Sequence, residues 1–422
     1  MSDFDCEVLI VGAGPAGMAA ALAAAESGCQ VRVIDDNPHP GGQIWRGGPQ
    51  VALPESARRY QQAVAARENI ALQSGCKLVA QCGAGRLAYE DAAGCGVIRY
   101  QKLILCNGAR ELLLPFPGWT LPGVTGAGGL QAQIKQGLAI RGERVVIAGS
   151  GPLLLAVANS VKQGGGKVVL VAEQAPLWRL AAFTGGLWRW PAKLPQAFSL
   201  MSRRYRADSR VLAALGQERL TSVRVNSGGR EKTIACDRLA CGFGLVANIE
   251  LAMLLGCRIE LDAVAVDHWQ QTSQPHVYAA GECTGIGGSE LALTEGTIAG
   301  YVATGQREKA DSLARQRRQW RGFAAAVATA FALDESLHSL AKPQTLLCRC
   351  EDVALGQVSG LPDWNAAKLS SRCGMGACQG KICATAARQL FGWPLPPPRV
   401  PLTPVRTQTL AALGLRCGDD GT

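Results

Sequence analysis

The feature that most constrains the fold of this chain is a strand followed by a glycine turn, a helix and a second strand that ends in an acidic residue. The run EVLIVG at 7–12 has the composition of a buried strand, and the turn GAGPAG at 12–17 opens the alanine-rich helix that follows. The next strand, VRVID, ends at Asp35, and a similar unit recurs at 144–173. Buried strands that alternate with helical patterns predict an α/β fold with parallel sheets.

In the first unit each glycine has a separate task. Gly12 would make the tight turn, Gly14 would let the backbone approach a pyrophosphate, and Gly17 would let the helix pack closely on the strand. Asp35 lies 23 residues after Gly12, where a carboxylate accepts hydrogen bonds from ribose hydroxyls. Phosphates would meet the positive end of the helix dipole, so this unit predicts a bound dinucleotide.

The second unit is complete except at its third glycine. Gly149 and Gly151 occupy the first two positions, and Leu154 occupies the third, where it should loosen the packing of helix on strand. Glu173 follows 24 residues after Gly149 and would favour a free ribose hydroxyl over a 2′-phosphate. We therefore expect a nucleotide-binding fold, and leave open whether an adenine nucleotide (NAD or ATP) occupies it.

Composition limits the remaining classes of protein. The chain has 422 residues, of which 48% are hydrophobic, enough for about three domains. Its net charge of +10 is spread in short groups, so nucleic-acid binding is not expected. The start MSDFDCEV has acids where a signal peptide has positive charge, so we expect a cytoplasmic protein with reduced cysteines. No apolar run reaches the roughly 20 residues of a membrane-spanning helix, so integral membrane association is not expected.

Five cysteines lie close together near the end of the sequence. Cys348 and Cys350 form a C-x-C pair, Cys373 and Cys378 form a C-x4-C pair, and Cys383 follows. Thiolates at such spacing bind zinc or an iron–sulfur cluster, and zinc sites favour C-x2-C pairs. Zinc and unliganded core cysteines stay as alternatives. We expect the two pairs to be the ligands and Cys383, at the start of a helix, to be a core residue. The spacing resembles the bacterioferritin-associated ferredoxin module, a small helical 2Fe-2S domain.

Two further segments resemble the two-dinucleotide flavoproteins of the thioredoxin and glutathione reductase types. GGQ at 41–43 matches the segment that runs beside the flavin in those proteins, and AGE at 280–282 matches the motif whose acid holds the ribityl chain. No redox cysteine pair stands beside GGQ, so thiol–disulfide chemistry is not expected. The resemblance implies that FAD is contacted by Gly42, Gln43, Gly281 and Glu282.

The order of segments along nearly the whole chain resembles the alpha subunit of heteromeric FAD-dependent amine dehydrogenases, the group of opine oxidase, hydrogen cyanide synthase and D-hydroxyproline dehydrogenase. The matching segments are LILCNGARELLLPFPGWTLPGV at 103–124, CGFGLVANIELAMLLGC at 241–257, AGECTGIGGSELALTEGTIAG at 280–300, and the cysteine module. The resemblance implies an electron-transfer subunit with FAD and a 2Fe-2S cluster. Its partner would be a substrate-oxidising flavoprotein beta subunit, and the resemblance also allows a further small subunit in the complex. No catalytic residue is predicted.

The expected architecture is a two-dinucleotide-binding flavoprotein fold with a small helical cluster domain. Its predicted parts are an FAD domain at 1–120 and 239–305, an inserted NAD-like domain at 121–238, a helical connector at 306–340 and the cluster domain at 341–405. The proline-rich stretch at 393–406 is expected to be an extended strap. The preferred function is a dehydrogenase subunit of the D-hydroxyproline type. The alternatives are an independent NADH-dependent flavin and iron–sulfur reductase, and a non-catalytic docking protein.

Overall fold

The computed structural model describes residues 4–47, 53–195 and 202–417. The chain divides into two compact units, and each unit is formed from separate stretches of sequence. Unit 1 consists of Met1–Arg110, Val246–Ala324 and Pro397–Thr422, and unit 2 consists of Glu111–Leu245 and Ala325–Pro396.

Strands occur throughout the described residues. In chain order they are β1 (Cys6–Val11), β2 (Val31–Asp35), β3 (Ile70–Ser74), β4 (Lys77–Gln81), β5 (Arg86–Glu90), β6 (Cys95–Leu105), β7 (Ala109–Glu111), β8 (Val124–Gly126), β9 (Arg144–Gly149), β10 (Lys167–Glu173), β11 (Tyr205–Arg206), β12 (Ser209–Leu215), β13 (Ser222–Ser227), β14 (Arg230–Ala235), β15 (Arg238–Gly242), β16 (Leu245–Ala247), β17 (Ile259–Glu260), β18 (Ala263–Val264), β19 (Val277–Ala279), β20 (Leu346–Cys348) and β21 (Val353–Ala354).

Helices follow the main strands of both units. In chain order they are α1 (Pro15–Ala25), α2 (Glu55–Ala65), α3 (Ala127–Lys135), α4 (Leu153–Gln163), α5 (Leu177–Gly186), α6 (Glu250–Leu254), α7 (Ser289–Ala303), α8 (Arg307–Ser312), α9 (Ala314–Ala330), α10 (Trp364–Ser371), α11 (Cys383–Phe391) and α12 (Thr407–Cys417). Within the described ranges, none of them combines the length and apolar character needed to cross a bilayer.

The main sheet of unit 1 has the order β3-β2-β1-β6-β5-β4, with β19 also paired to β6. Strands β1, β2, β3, β6 and β19 are parallel, whereas β4, β5 and the first half of β6 form an antiparallel meander. Helix α1 is almost entirely buried because it is rich in alanine. Its small side chains let α7 approach so closely that a Cβ on Gly296 would lie 2.1 Å from the carbonyl oxygen of Ala16.

Unit 2 is built on a five-stranded parallel sheet of order β11-β10-β9-β15-β8. An antiparallel sheet of β12, β13 and β14 belongs to the same unit. The C-terminal part of unit 2 has its own core around Val358, Trp364 and Trp393, between the β20–β21 pair and helices α10 and α11. Both predicted strand–turn–helix units are therefore present, one in each compact unit.

The proline-rich stretch has neither helix nor strand between residues 392 and 406, as the sequence predicts. Within unit 1, the backbone N–H of Leu402 donates to the carbonyl of Val79 at 2.9 Å, and Val405 packs against the hydrophobic side of the β4–β5 hairpin. The strap therefore leads α12 onto this hairpin.

One cysteine pair departs from the expectation that all cysteines are reduced. Cys82 and Cys417 form a disulfide between the β4–β5 turn and the last residue of α12. The two residues are 335 positions apart in sequence, so no local spacing indicates the bond. Cys236 and Cys241 are buried free thiols.

A surface ion pair joins the first residue of β9 to the turn before β15. The carboxylate of Asp237 accepts from the backbone N–H of Arg144 at 2.7 Å and from its guanidinium at 2.9 and 3.2 Å. These hydrogen bonds lower the pKa of Asp237 to about 2. The side chains are 44% and 35% exposed, so solvent screens the pair and we assign it only about 0.5–1 kcal/mol.

We expect Asp237→Asn to lower the free energy of unfolding by about 0.5–1 kcal/mol at neutral pH, because the amide cannot form the charged pair. The unfolded carboxyl has a pKa of about 3.9, so this stabilisation is complete above that value and is lost as the pH falls through the folded value. Urea unfolding of both proteins at falling pH measures the effect. Equal free energies of unfolding at neutral pH would contradict it.

Candidate cofactor sites

The first glycine turn connects β1 to α1 in unit 1. Gly12 has φ +105°, and a Cβ on it would lie 2.3 Å from the carbonyl oxygen of Cys106. A Cβ on Gly17 would lie 1.8 Å from the carbonyl oxygen of Gly12. Both distances are far below van der Waals contact. Only glycine at these two positions therefore lets the turn form and α1 pack against it.

Asp35 ends β2 beside this turn and is only 5% exposed. Its Oδ2 accepts from the backbone N–H of Ala13 at 2.5 Å, and its Oδ1 accepts from the backbone N–H and the side-chain amide of Asn37 at 2.7 and 2.8 Å. A carboxylate has about four acceptor positions, so these three bonds leave capacity for a hydroxyl donor. Asp35 therefore holds the turn, and its role toward a ribose stays a prediction.

The GGQ segment crosses the same turn. The backbone N–H of Gly41 donates to the carbonyl of Ala13 at 2.8 Å, and a Cβ on Gly42 would lie 3.1 Å from the Cα of Gly14. Gln43, the next residue, is exposed. The two glycine segments thus meet backbone to backbone, with no side chain between them.

The AGE motif also lies against the start of α1. A Cβ on Gly281 would lie 2.8 Å from the Cβ of Ala16. Glu282 follows, and burial raises the pKa of its carboxyl group, which accepts a hydrogen bond from the backbone N–H of Gly288. Unit 1 therefore brings together every predicted segment of the first site: the glycine turn, the acid, the GGQ segment and the AGE motif. This bare backbone, with a helix N-terminus and a buried acceptor, fits an FAD pyrophosphate and ribose.

Two thiols lie close to this site. Cys106 packs behind Gly17, with its Cβ 3.5 Å from the Cβ that Gly17 would carry, and Cys283 contacts the carbonyl of Leu105 at 3.3 Å. Burial raises the pKa of Cys283 to about 12 and that of Cys106 well above its ordinary value. Neither is a thiolate at neutral pH.

The second glycine turn connects β9 to α4 in unit 2. A Cβ on Gly149 would lie 1.8 Å from the carbonyl oxygen of Gly242, whereas a Cβ on Gly151 would meet nothing within 4 Å. Glu173 is fully buried, and its carboxylate accepts from the backbone N–H groups of Gly151 and Ala175, each at 2.9 Å. Burial raises its pKa. Glu173 therefore holds the turn from within, and its role toward a ribose stays a prediction.

Leu154, at the position of the missing third glycine, is fully buried. It packs with Ile147 and Val157 in the core between α4 and the parallel sheet, and its Cδ2 would lie 3.4 Å from a Cβ on Gly242. Helix α4 still begins at Leu153. Leu154 is therefore a core residue of unit 2.

The chain after α9 contacts the second turn. Ser150 donates from its hydroxyl to the carbonyl of Phe331 at 2.8 Å, and Gln174 donates from its side-chain amide to the carbonyl of Ala332 at 3.0 Å. The backbone N–H of Asp334 returns a hydrogen bond to the Oε1 of Gln174 at 3.1 Å. A nucleotide approaching this edge of the turn would meet residues 331–334 of the same chain, a contact that sequence reasoning missed.

The cysteine module converges in unit 2. The sulfur atoms of Cys348, Cys373 and Cys383 lie within 4.8 Å of one another, and all three residues are buried. The thiol of Cys383 hydrogen-bonds the sulfur of Cys378 and lowers its pKa, and Cys350 also contacts Cys378. Cys383, which the sequence assigns to the core, is therefore both buried and part of the group, and the predicted ligands Cys350 and Cys378 adjoin it through the contact of Cys378 with Cys383. Its signal was the equal spacing of 373, 378 and 383.

Small residues and one ion pair hold the two cysteine loops together. A Cβ on Gly376 would lie 2.2 Å from the Cβ of Cys350, so only glycine allows this approach. The carboxylate of Glu351 accepts from the Nε of Arg372 at 2.9 Å and thereby joins one loop to the other. Thiols from two loops, of which Cys348, Cys373 and Cys383 are buried and mutually close, fit a thiolate-bound metal centre.

Trp119 holds the first cysteine loop from outside the module, and sequence reasoning missed it. Its indole Nε1 donates to the carbonyl of Leu346 at 2.7 Å, and the guanidinium of Arg349 lies 5.3 Å from the ring centroid. Trp119 is 5% exposed. Because 227 residues separate Trp119 from Leu346, no sequence pattern could indicate this contact.

Comparison with known proteins agrees with this architecture. Residues 6–306 match the family described as pyridine nucleotide-disulphide oxidoreductase. Hydrogen cyanide synthase subunit HcnB of Pseudomonas protegens is 32% identical, over 94% of this chain and 96% of its own length. An opine oxidase subunit of Agrobacterium tumefaciens is 29% identical, over 93% of this chain and 86% of its own.

Solved structures support the same fold. L-proline dehydrogenase from P. horikoshii aligns with a TM-score of 0.70 at 18% identity, covering 96% of this chain and 79% of that chain. The thioredoxin reductase of T. acidophilum aligns with a TM-score of 0.55 at 22% identity, covering 71% of this chain and 97% of that chain. The predicted two-dinucleotide-binding fold and the resemblance to the opine oxidase and hydrogen cyanide synthase group are confirmed. The chain belongs to the pyridine nucleotide-disulphide oxidoreductase family, as an FAD-binding oxidoreductase homologous to HcnB and to the opine oxidase subunit.

Proposed function

We propose that this chain is the electron-transfer subunit of a heteromeric amino- or imino-acid dehydrogenase, with FAD in unit 1 and a 2Fe-2S cluster in unit 2. The close approach of the sulfurs of Cys348, Cys373 and Cys383 carries the proposal, because a group of thiols from two loops has the chemistry of a cluster site. The relatives named as subunits of hydrogen cyanide synthase and opine oxidase support assembly with other chains.

The chain's own residues would bind and position these groups. The turn at 12–17 would hold the FAD pyrophosphate at the start of α1, Asp35 would accept from the ribose, and Glu282 would accept from the ribityl chain. Cys348, Cys350, Cys373 and Cys378 are the proposed cluster ligands, with Cys383 as a fifth candidate. Bound FAD supplies two-electron chemistry, and an iron–sulfur cluster carries single electrons.

A separate flavoprotein subunit would bind and oxidise the substrate, since this chain offers no catalytic residue that its sequence or described structure identifies. D-hydroxyproline is the preferred substrate within the amine dehydrogenase group, and opines and glycine are the alternatives. Location in the cytoplasm stays a prediction. The contacts of Ser150 and Gln174 with residues 331–334 favour this function over that of an NADH-dependent reductase, because they occupy one edge of the second nucleotide turn.

The function is tested by producing the chain alone and together with its substrate-oxidising partner. We expect the pair, supplied with D-hydroxyproline, to reduce an artificial dye, and this chain alone to reduce none with any amino acid. NADH should bleach the flavin of the isolated chain more slowly than about 10 per second, the median turnover of enzymes.

Two results would overturn the proposal. One is dehydrogenation of an amino acid at full rate by the isolated chain, which would place the substrate site here. The other is rapid bleaching by NADH in stopped-flow mixing, which would indicate the reductase.

A further inference from the structure

Helix α5 of unit 2 is apolar on both of its faces. Its sequence LWRLAAFTGG contains one charged residue. Leu180 packs against the body of the unit, as do Leu187 and Trp190 in the turns that follow. A helix that is apolar all round is normally covered on all sides. We therefore expect a partner to cover the face of α5 that lies opposite Leu180.

That opposite face is exposed in the described part of the chain. Leu177 is 70% exposed, Trp178 is 68% exposed, and Trp188, just beyond the helix, is 70% exposed. Between these two ends the exposed positions carry small side chains, which are Ala181, Ala182, Thr184 and Gly185. We call the surface formed by 177, 178, 181, 182, 184, 185 and 188 the α5 face.

Arginines flank both ends of the α5 face. The guanidinium of Arg179 lies 5.3 Å from the ring centroid of Trp178, and that of Arg189 lies 5.6 Å from the ring of Trp188. The sequence from Gln174 to Ala207 has six basic residues and no acidic one. The chain that forms the apolar surface is therefore basic, and Asp334 is the acidic residue that interacts electrostatically with Arg179.

We propose that the α5 face is the docking surface for the substrate-oxidising subunit, through a protein surface that is apolar at its centre and acidic at its rim. This rests on the proposed function, which supplies the partner. Tryptophan and arginine are the residue types that dominate binding energy at protein interfaces. Carboxylates on the partner would complement the arginines and speed association.

The shape of the face favours a protein over a lipid surface. Trp178 and Trp188 are ten positions apart in the sequence, one in the first turn of α5 and the other just beyond its last residue. The alanines and glycine between them add little apolar area for insertion into lipid, because transfer energy scales with buried area. The small residues do let the surface of a folded protein approach the backbone of α5 closely. Side chains of that protein would then lie between the two tryptophans.

The test compares the double variant Trp178→Glu/Trp188→Glu with the control Leu261→Glu. Leu261 is an apolar residue of unit 1 that is 100% exposed, so the control replaces an exposed apolar side chain with a glutamate outside the α5 face. Each chain is mixed with the purified partner subunit, and the dissociation constant is measured by sedimentation velocity. FAD content and circular dichroism of the isolated chains verify that each one is folded.

We expect the double variant to bind the partner at least about 30-fold more weakly, as the loss of interface hot spots requires, and the control to bind like the wild type. Equal binding by the double variant would overturn the α5 proposal and leave the proposed function standing. A wild-type chain that binds no partner would overturn both.

Vesicles containing phosphatidylglycerol test the lipid alternative. We expect the wild-type chain not to sediment with them. Sedimentation that the double variant abolishes would assign the α5 face to a membrane surface and overturn the protein partner.

Discussion

A chain with Gly17→Ala is expected to lose its FAD. The added methyl would stand 1.8 Å from the carbonyl oxygen of Gly12, so α1 must move away from the turn that would bind the pyrophosphate. Helix α1 cannot move freely, because nine of its eleven residues are buried and α7 packs against it at Gly296. Overpacking of this kind costs about 1–3 kcal/mol. We expect the purified variant to be nearly colourless in the visible flavin bands and less stable in urea.

Gly185→Ala is the matched control, since it adds the same methyl group to another helical glycine. A Cβ on Gly185 meets nothing within 4 Å, so this variant should keep its FAD and lose no stability. Alanine is favoured over glycine within helices by up to about 1 kcal/mol. Stoichiometric FAD in Gly17→Ala would contradict the assignment of the turn.

Serine substitutions of the cluster ligands are expected to remove the iron and leave FAD in place. The aerobically purified wild-type chain should contain about two irons and matching acid-labile sulfide, because a 2Fe-2S cluster is held by four ligands from the module. FAD should persist, since the cysteines belong to unit 2 and the glycine turn of the flavin site belongs to unit 1. Iron analysis and the visible spectrum measure both cofactors in the same sample.

The series covers Cys348, Cys350, Cys373, Cys378 and Cys383 one at a time. Four ligands suffice, so one of the five variants should keep its iron, and the result for Cys383→Ser decides whether the fifth thiol replaces one of the four proposed ligands. Cys29→Ser, at a half-buried free thiol in unit 1, is the control and should keep both cofactors. Stoichiometric zinc without acid-labile sulfide would contradict the cluster.

Sequence alone determined the parts of this protein whose geometry is local. Gly12, Gly17 and Asp35 lie within one strand–turn–helix–strand unit, and the backbone of such a unit leaves few alternatives. Hence the turn, the packing of α1 and the acid at the end of β2 could be predicted residue by residue. The same holds for the two cysteine pairs, because each occupies one short loop.

Only the tertiary structure decided contacts between residues that are far apart in the chain. It placed Cys383 beside Cys348 and Cys373, joined Cys82 to Cys417, set Trp119 against the first cysteine loop and brought residues 331–334 onto the second glycine turn. It also left the α5 face exposed. Sequence patterns report which way a side chain faces within its own element. Which residue of another element that side chain contacts depends on the path of the intervening chain. The packing of the whole molecule selects this path.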